Sequence, residues 1–193
     1  MHPFRKYILA YQALSQEEWA RVEKCLIKKE YKKGDTILES DKVCRKLYFL
    51  ESGLLRFYVF NEGEAATKFF TEAPYCFTSQ RSFTTDMPTN DNIEALQDSV
   101  VWEMSKKEAF ELLEIPNWSA FVRKLIQEVQ YFTEQILEES QSYTAEERYI
   151  KMTEAQSSLL NNVPLKDIAS YLGIAPQSLS RIRKKYWANR KLT

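Results

Sequence analysis

Residues 165–184, LKDIASYLGIAPQSLSRIRK, constrain the fold more than any other segment of the chain. Two short helices locked at a steep angle need particular residue types at fixed places, and here every place is filled. Ile168 and Leu172 supply the apolar face of a first helix, and Ala169 is small where a second helix must cross close by. Gly173 admits the positive φ of a tight turn. Ile174 plugs that turn, and Leu179 and Ile182 anchor the second helix. Pro176 fits the first turn of that helix, where a missing N–H costs nothing. The pattern is that of a helix-turn-helix rather than an ordinary helical hairpin. Its solvent face carries Gln177, Ser178, Ser180, Arg181, Lys184 and Lys185. In such a motif the N-terminal end of the second helix reaches base edges in the major groove, where Gln177 can pair with adenine and Arg181 with guanine. Ser178 and Ser180 sit beside them, within reach of bases or phosphates. Lys184, Lys185 and Arg190 are placed for phosphates, which give affinity without sequence information.

The charge distribution agrees. Lys and Arg together number 27 and so do Asp and Glu, so the formal net charge is zero. From Pro164 onward, however, Lys166, Arg181, Arg183, Lys184, Lys185, Arg190 and Lys191 face a single acid, Asp167. The segment is +6, the preceding residues are −6, and the neutral total conceals a basic end suited to nucleic acid.

The chain as a whole is 44% hydrophobic and 13% aromatic, ample for a packed core. Ser15-x-x-Glu18 is a capping box, and Trp19, Val22 and Leu26 follow at helical spacing, which predicts a helix over 15–29. Short β-branched or aromatic runs then predict strands over 36–39, 46–51, 54–60, 66–71, 92–96 and 99–104. Ser52-Gly53 and Asn61-Glu62-Gly63 supply hairpin turns between them. Together they predict an antiparallel sandwich or barrel. A second capping box, Ser105-x-x-Glu108, opens a helix over 105–113. After Pro116 a long helix carries Trp118, Val122, Leu125, Val129, Phe132 and Ile136 in a heptad seam. Phe121, Ile126 and Leu137 lie beside the seam and can serve the barrel, so the seam is expected to meet a second copy of the chain. Thr144-x-x-Glu147 starts a further helix over 144–160, ended by Asn161-Asn162.

Other classes fit less well. Cys25, Cys44 and Cys76 are widely spaced and form neither a disulfide framework nor a zinc motif. The only histidine, His2, lies outside the strands, so a metal-dependent enzyme on a cupin-like barrel lacks its ligands. No GxSxG, P-loop or HExxH pattern occurs. No apolar run reaches the length of a signal peptide or a membrane span, which places the chain in the cytoplasm.

With these elements in order, the chain resembles regulators of the Crp/Fnr family. KKGDTILESDKVCRKLYFLESGLLRFYV is similar to that family's opening turn and strands, and residues 165–184 to its DNA-binding motif. EERYIKM, followed by VPLKDIASYLGIAPQSLSRIRKK, is similar to the branch common in Bacteroidetes. The resemblance implies an α+β chain in three parts. These are a cyclic-nucleotide-binding-like antiparallel β-roll over 1–115, a dimerisation helix over 116–140, and a helix-turn-helix domain over 141–193 whose wing is abbreviated. It implies a homodimer, double-stranded DNA with an inverted-repeat operator, RNA polymerase as a partner, and a small-molecule effector of unspecified identity.

Departures from the family refine this. Its cyclic-nucleotide binders carry a Gly-Glu pair and then an Arg followed by a small residue. Here PYCFTSQRSFTTDMPTNDNIEAL places Tyr75-Cys76 and Asn90-Asp91-Asn92 at those points, so cyclic AMP is not the expected effector. The candidate effector pocket consists of Phe69, Phe70, Tyr75, Phe77 and Arg81, suited to an apolar or mixed ligand. No cofactor is expected: the N-terminal cysteines of iron–sulfur members are missing, and no ligand pair for haem stands out. Family members that read the best-known operator carry Arg-Glu where Pro176-Gln177 stands here, so a different operator is expected. The alternative is a small-molecule-binding or scaffolding module with the same roll that does not bind DNA.

Overall fold

The computed structural model describes residues 1–155 and 157–190, with the side chains of 157–159, 189 and 190 left out. Two four-stranded antiparallel sheets form the N-terminal roll. One has the order β1 (Ile27–Tyr31), β8 (Ser99–Ser105), β3 (Lys46–Ser52), β6 (Tyr75–Phe77); the other has the order β2 (Thr36–Leu38), β7 (Asn92–Ala95), β4 (Leu54–Asn61), β5 (Glu64–Glu72). Alternation along the strands points Leu50, Leu55, Phe57, Ile93, Ala95 and Val101 inward, where they close the core between the sheets. Asn61 pairs with Glu64 across a two-residue turn in which Glu62 and Gly63 both have positive φ, the primed geometry that matches strand twist. Gly53, at φ +114, is required for another reason: a Cβ there would sit 2.1 Å from the Ser99 hydroxyl oxygen.

Helices cover the outer face of the sheet β1-β8-β3-β6. α1 (Pro3–Leu9) and α2 (Gln16–Glu23) bury Phe4, Ile8, Trp19 and Val22 against Phe49, Met104 and the start of α5 (Pro116–Ser142). The capping boxes of Ser15 with Glu18 and Ser105 with Glu108 are both formed. The second opens α4 (Lys106–Glu111), which tightens into a 3-10 turn before Pro116.

Three differences from the sequence expectation have physical causes. The helix expected over 15–29 stops at Glu23, because residues 27–31 pair as a strand with β8, and that ladder outweighs local helical spacing. α1 precedes it, begun by the His2 side chain accepting from the Phe4 N–H. Between β5 and β7, the short strand β6 and helix α3 (Gln80–Thr85) are too brief to show periodicity and take their form from pairing with β3 and from the buried Phe83.

C-terminal to α5 come α6 (Ala145–Ala155), α7 (Ser157–Asn162), α8 (Leu165–Leu172) and α9 (Pro176–Arg190). The helix expected over 144–160 thus corresponds to α6 and α7, with Gln156 outside the described residues. Among the described residues no strand follows α9 and no helix is long and apolar enough to cross a membrane.

Candidate nucleic-acid interface and effector cavity

The α8–α9 unit is built as its residue types require. Gly173 takes φ +70 and caps α8, and the Ile174 N–H reaches the Ala169 carbonyl at 3.0 Å, closing the helix end. Ile168, Ala169, Leu172 and Leu179 are buried together, with Ile174 and Ile182 packed around them. This core does not stand alone. It is continuous with Leu54, Phe70 and Leu96 of the roll, so the helical unit sits directly on the sheet β2-β7-β4-β5.

Polar contacts fix that seating. The Ser170 hydroxyl donates to the Ala65 carbonyl at 2.8 Å and accepts from the Thr67 N–H at 2.9 Å, both on β5. Arg56 on β4, only 5% exposed, donates from Nε to the Thr67 hydroxyl. Its Nη1 lies 3.0 Å from a Glu94 oxygen and 3.0 Å from an Asp167 oxygen, and Asp167 is itself 3% exposed. One cation is therefore shared by two carboxylates under α8. Burial raises the Asp167 carboxyl above its ordinary range more than the Arg56 guanidinium lowers it.

α9 faces the other way. Gln177, Arg181 and Lys184 are all exposed and recur at i, i+4 and i+7, which puts them in one stripe. Ser180 is exposed with its hydroxyl donating to the Pro176 carbonyl, and Ser178 is half-buried. Lys185 lies 2.8 Å from Glu146 of α6, so this lysine already has an anionic partner. The Arg190 side chain, and Lys191, lie outside the described residues.

The seam of α5 is divided. Trp118 is 0% exposed and belongs to the roll's core with Phe4 and Phe121, so its assignment to a surface between subunits is corrected: the first turns of α5 complete the roll. Val122 and Leu125 pack against the same cluster. Val129 and Ile136 are half-buried, while Phe132 is exposed with its ring edge-on to Phe69 at 5.5 Å. The residues expected to serve the barrel separate too. Phe121 is buried in it, Ile126 (48% exposed) borders the cavity between α5 and the roll, and Leu137 (56% exposed) faces outward.

Between α5 and the roll lies a cavity of about 510 Å³. Phe69, Tyr75 and Phe77 of the candidate effector pocket line it, and burial pushes the Tyr75 hydroxyl up to about 12. Two members of the expected pocket do not. Phe70 packs against Tyr171 of α8 and borders a smaller cavity at the helical unit, because alternation along β5 turns it away from Phe69. Arg81 is exposed on α3 and does not line the cavity. Lys68 and Phe83, not singled out in the sequence, line it, as do Asp91 and Trp118. Lys68 Nζ is 2.8 Å from Asp91, whose second oxygen accepts from the Ser79 hydroxyl at 2.6 Å. Burial pushes the Asp91 carboxyl up, yet Lys68, Ser79 and Thr89 together hold it below its ordinary range, so it is ionised at neutral pH. Burial alone raises the Cys76 thiol to about 12, an inert apolar wall. Among the described residues no group of His, Cys, Asp and Glu is arranged to hold a metal ion.

Comparison with known proteins locates the fold. Residues 28–115 match the family described as the cyclic nucleotide-binding domain. No curated protein sequence matches the chain. Among solved structures, a Crp/Fnr-family transcriptional regulator from Eubacterium rectale superposes with TM-score 0.74 at 17% identity, over 91% of this chain and 85% of that one. The c-di-GMP-responsive global regulator CLP of Xanthomonas campestris gives TM-score 0.73 at 11% identity, covering 91% and 93%. FixK2 of Bradyrhizobium japonicum gives 0.71 at 17% identity, covering 85% of each. The chain shares the fold of these structures: a roll of which residues 28–115 match the cyclic nucleotide-binding domain, a long helix, and the α8–α9 pair.

Proposed function

We propose that the chain is a homodimeric, sequence-specific DNA-binding transcriptional regulator of the cytoplasm that does not answer to cyclic AMP. The observation that carries this reading is the stripe of Gln177, Arg181 and Lys184 on α9, exposed and free of acids, on a helix whose opposite face is locked to α8. Dimerisation is supported by Leu137, a large apolar side chain left outward on α5, and by Ile126 and Phe132, which stay exposed although they border the cavity beside the roll. The two-fold axis that such a contact brings would present two α9 helices to DNA. Insensitivity to cyclic AMP is supported by the ionised Asp91 in the cavity wall and by Arg81 lying outside it, since a phosphate there would meet repulsion in place of a cation. If the regulator activates, it also touches RNA polymerase.

Selection of binding sites from random duplex DNA by the purified chain tests the reading. An inverted repeat with half-sites about one helical turn apart, roughly 34 Å, is the expected product. Recovery of no motif would instead favour a roll that binds a small molecule without DNA. The dimer is tested separately with Leu137→Asp, at an exposed position outside the roll's core. Sedimentation should show a folded monomer, and a variant that stays dimeric would remove this part of α5 from the interface.

A further inference from the structure

The smaller cavity, about 210 Å³, lies where β5, α5, α6 and α8 meet. Phe70, Ile136, Met152 and Tyr171 give it an apolar and aromatic wall, and its charged lining residues are Arg148, Lys151 and Glu139. The fold does not neutralise the two cations. Arg148, half-buried on α6, donates from Nη2 to the Tyr171 carbonyl at 3.1 Å, and its guanidinium lies 5.0 Å from the centre of the Tyr171 ring. Its Nε is buried and has no acceptor among the described residues. Lys151 holds its Nζ 3.5 Å from the centre of the Tyr143 ring, and its pull on Glu147, one turn back, stops short of an ion pair. Neither cation has a carboxylate paired with it among the described residues. The two acids just before Arg148 are engaged elsewhere: Glu146 with Lys185, and Glu147 with the Thr144 N–H and hydroxyl at the start of α6. Two cations against the single acid Glu139 leave the lining with a charge of +1. A half-buried guanidinium with no anion beside it has lost hydration without gaining an opposite charge, and an entering anion relieves that. The planar fork of an arginine suits the two oxygens of a carboxylate.

We infer that this junction binds a small monocarboxylate with a compact aromatic or apolar body, the carboxylate engaging Arg148 and the body resting on Phe70, Met152 and Tyr171. The volume is below the roughly 300–1,000 Å³ of drug-sized sites, which limits the body to about one ring. A single negative charge matches the lining, whereas a second would be repelled by Glu139. Because the walls come from the roll, α5, α6 and α8, an occupant ties the helix-turn-helix unit to the roll. The inference goes beyond the regulatory reading above. Its test uses no DNA, so either can fail without the other.

The probe is benzoate, titrated into the full chain by calorimetry, with benzamide and phenyl phosphate as controls carrying the same ring. Benzoate should saturate at one per subunit. Benzamide, which lacks the charge, and phenyl phosphate, which carries more than one at neutral pH, should each bind about tenfold more weakly or worse. Arg148→Met should weaken benzoate about ten- to a hundredfold, the range of a hydrogen bond to a charged group. Glu139→Gln should act in the opposite sense and tighten it, phenyl phosphate gaining more than benzoate. Should Arg148→Met disturb the contact of α6 with α8, Ala155→Trp, at an exposed position of the wall, leaves the arginine in place and should abolish binding by filling the space. Saturating benzoate should also slow hydrogen exchange in α8. Absence of saturable benzoate binding would overturn the inference, as would benzamide or phenyl phosphate binding as tightly as benzoate. Binding indifferent to both Arg148→Met and Ala155→Trp would remove the ligand from this junction, and unchanged exchange in α8 would show that an occupant does not tie the two parts together.

Discussion

The two helices of the C-terminal motif are neighbours in sequence and opposites in environment. α8 is turned inward: Asp167, Ile168, Ala169 and Leu172 are buried, and its one acid lies against Arg56 of the roll. α9 is turned outward, with Gln177, Arg181 and Lys184 in solvent. Asp167 is the only acid in a segment otherwise basic, and burying it under α8 removes it from the surface that would face phosphate. The roll therefore does more than support the motif. By supplying Arg56, it pairs the one acid of residues 164–193.

Breaking the inward contact should give the largest effect. Arg56→Met leaves Asp167 buried without its cation and Glu94 half-freed, and removing one partner of a buried pair costs about 3–5 kcal/mol. Chemical denaturation should show that loss, and hydrogen exchange should show it concentrated in α8. Replacing both partners, Arg56→Met with Asp167→Leu, should recover most of it, because an apolar pair of similar size carries no desolvation penalty. A double variant as unstable as the single one would mean that Arg56 holds the fold through Thr67 and Glu94 rather than through α8.

The outward helix should respond on a smaller scale, and differently at each position. Arg181→Ala should cost about 1–3 kcal/mol of specific binding and relax preference at one base pair per half-site. Lys184→Ala should weaken specific and scrambled duplexes alike and flatten the log–log salt dependence by about 0.9 for each phosphate no longer neutralised. Lys185→Ala should have less effect, since Glu146 already engages that lysine. Competition binding at several salt concentrations separates these outcomes. A specific-to-scrambled ratio unmoved by Arg181→Ala but collapsed by Lys184→Ala would reverse the assignment of the reading face.

How much of this was legible in the sequence follows the same division between local and distant causes. Gly173, Pro176 and the spacing of Ile168, Leu172, Leu179 and Ile182 act through their own chain neighbours, so the motif could be read residue by residue. The capping boxes at Ser15 and Ser105 were legible for the same reason, and so was the Glu62-Gly63 turn. α5 was legible as a helix but not in its facing. Its apolar stripe is wide enough to serve two partners, and only the packing of Phe4 and Phe49 decides that Trp118 goes inward while Ile126 stays out. Arg56 sits in a run of strand residues with nothing to mark it, because its partners come from β5, β7 and α8. The polar elements of the cavity were hidden likewise: Lys68 and Asp91 meet only once β5 and β7 are folded into one sheet.

The smallest effect concerns the sign of a titration, and it compares two carboxylates, the half-buried Asp91 of the roll and the buried Asp167 of α8. Asp91 is held below its ordinary range, so its contribution to stability is present at neutral pH and is lost as pH falls through the carboxylate range. Asp167 is raised, so between its ordinary and its folded value the folded state binds the proton more than the unfolded chain does. Stability at this site therefore falls as pH rises through that window. Asp167→Asn removes the titration while keeping the shape. The stability difference between the native chain and this variant should thus decrease from acid toward neutral pH, with contributions from other carboxylates cancelling. A difference that instead grows with pH would show that Arg56 outweighs burial, and that α8 is held to the roll chiefly by charge rather than by the apolar contact of Ile168 and Leu172 with Leu54 and Phe70.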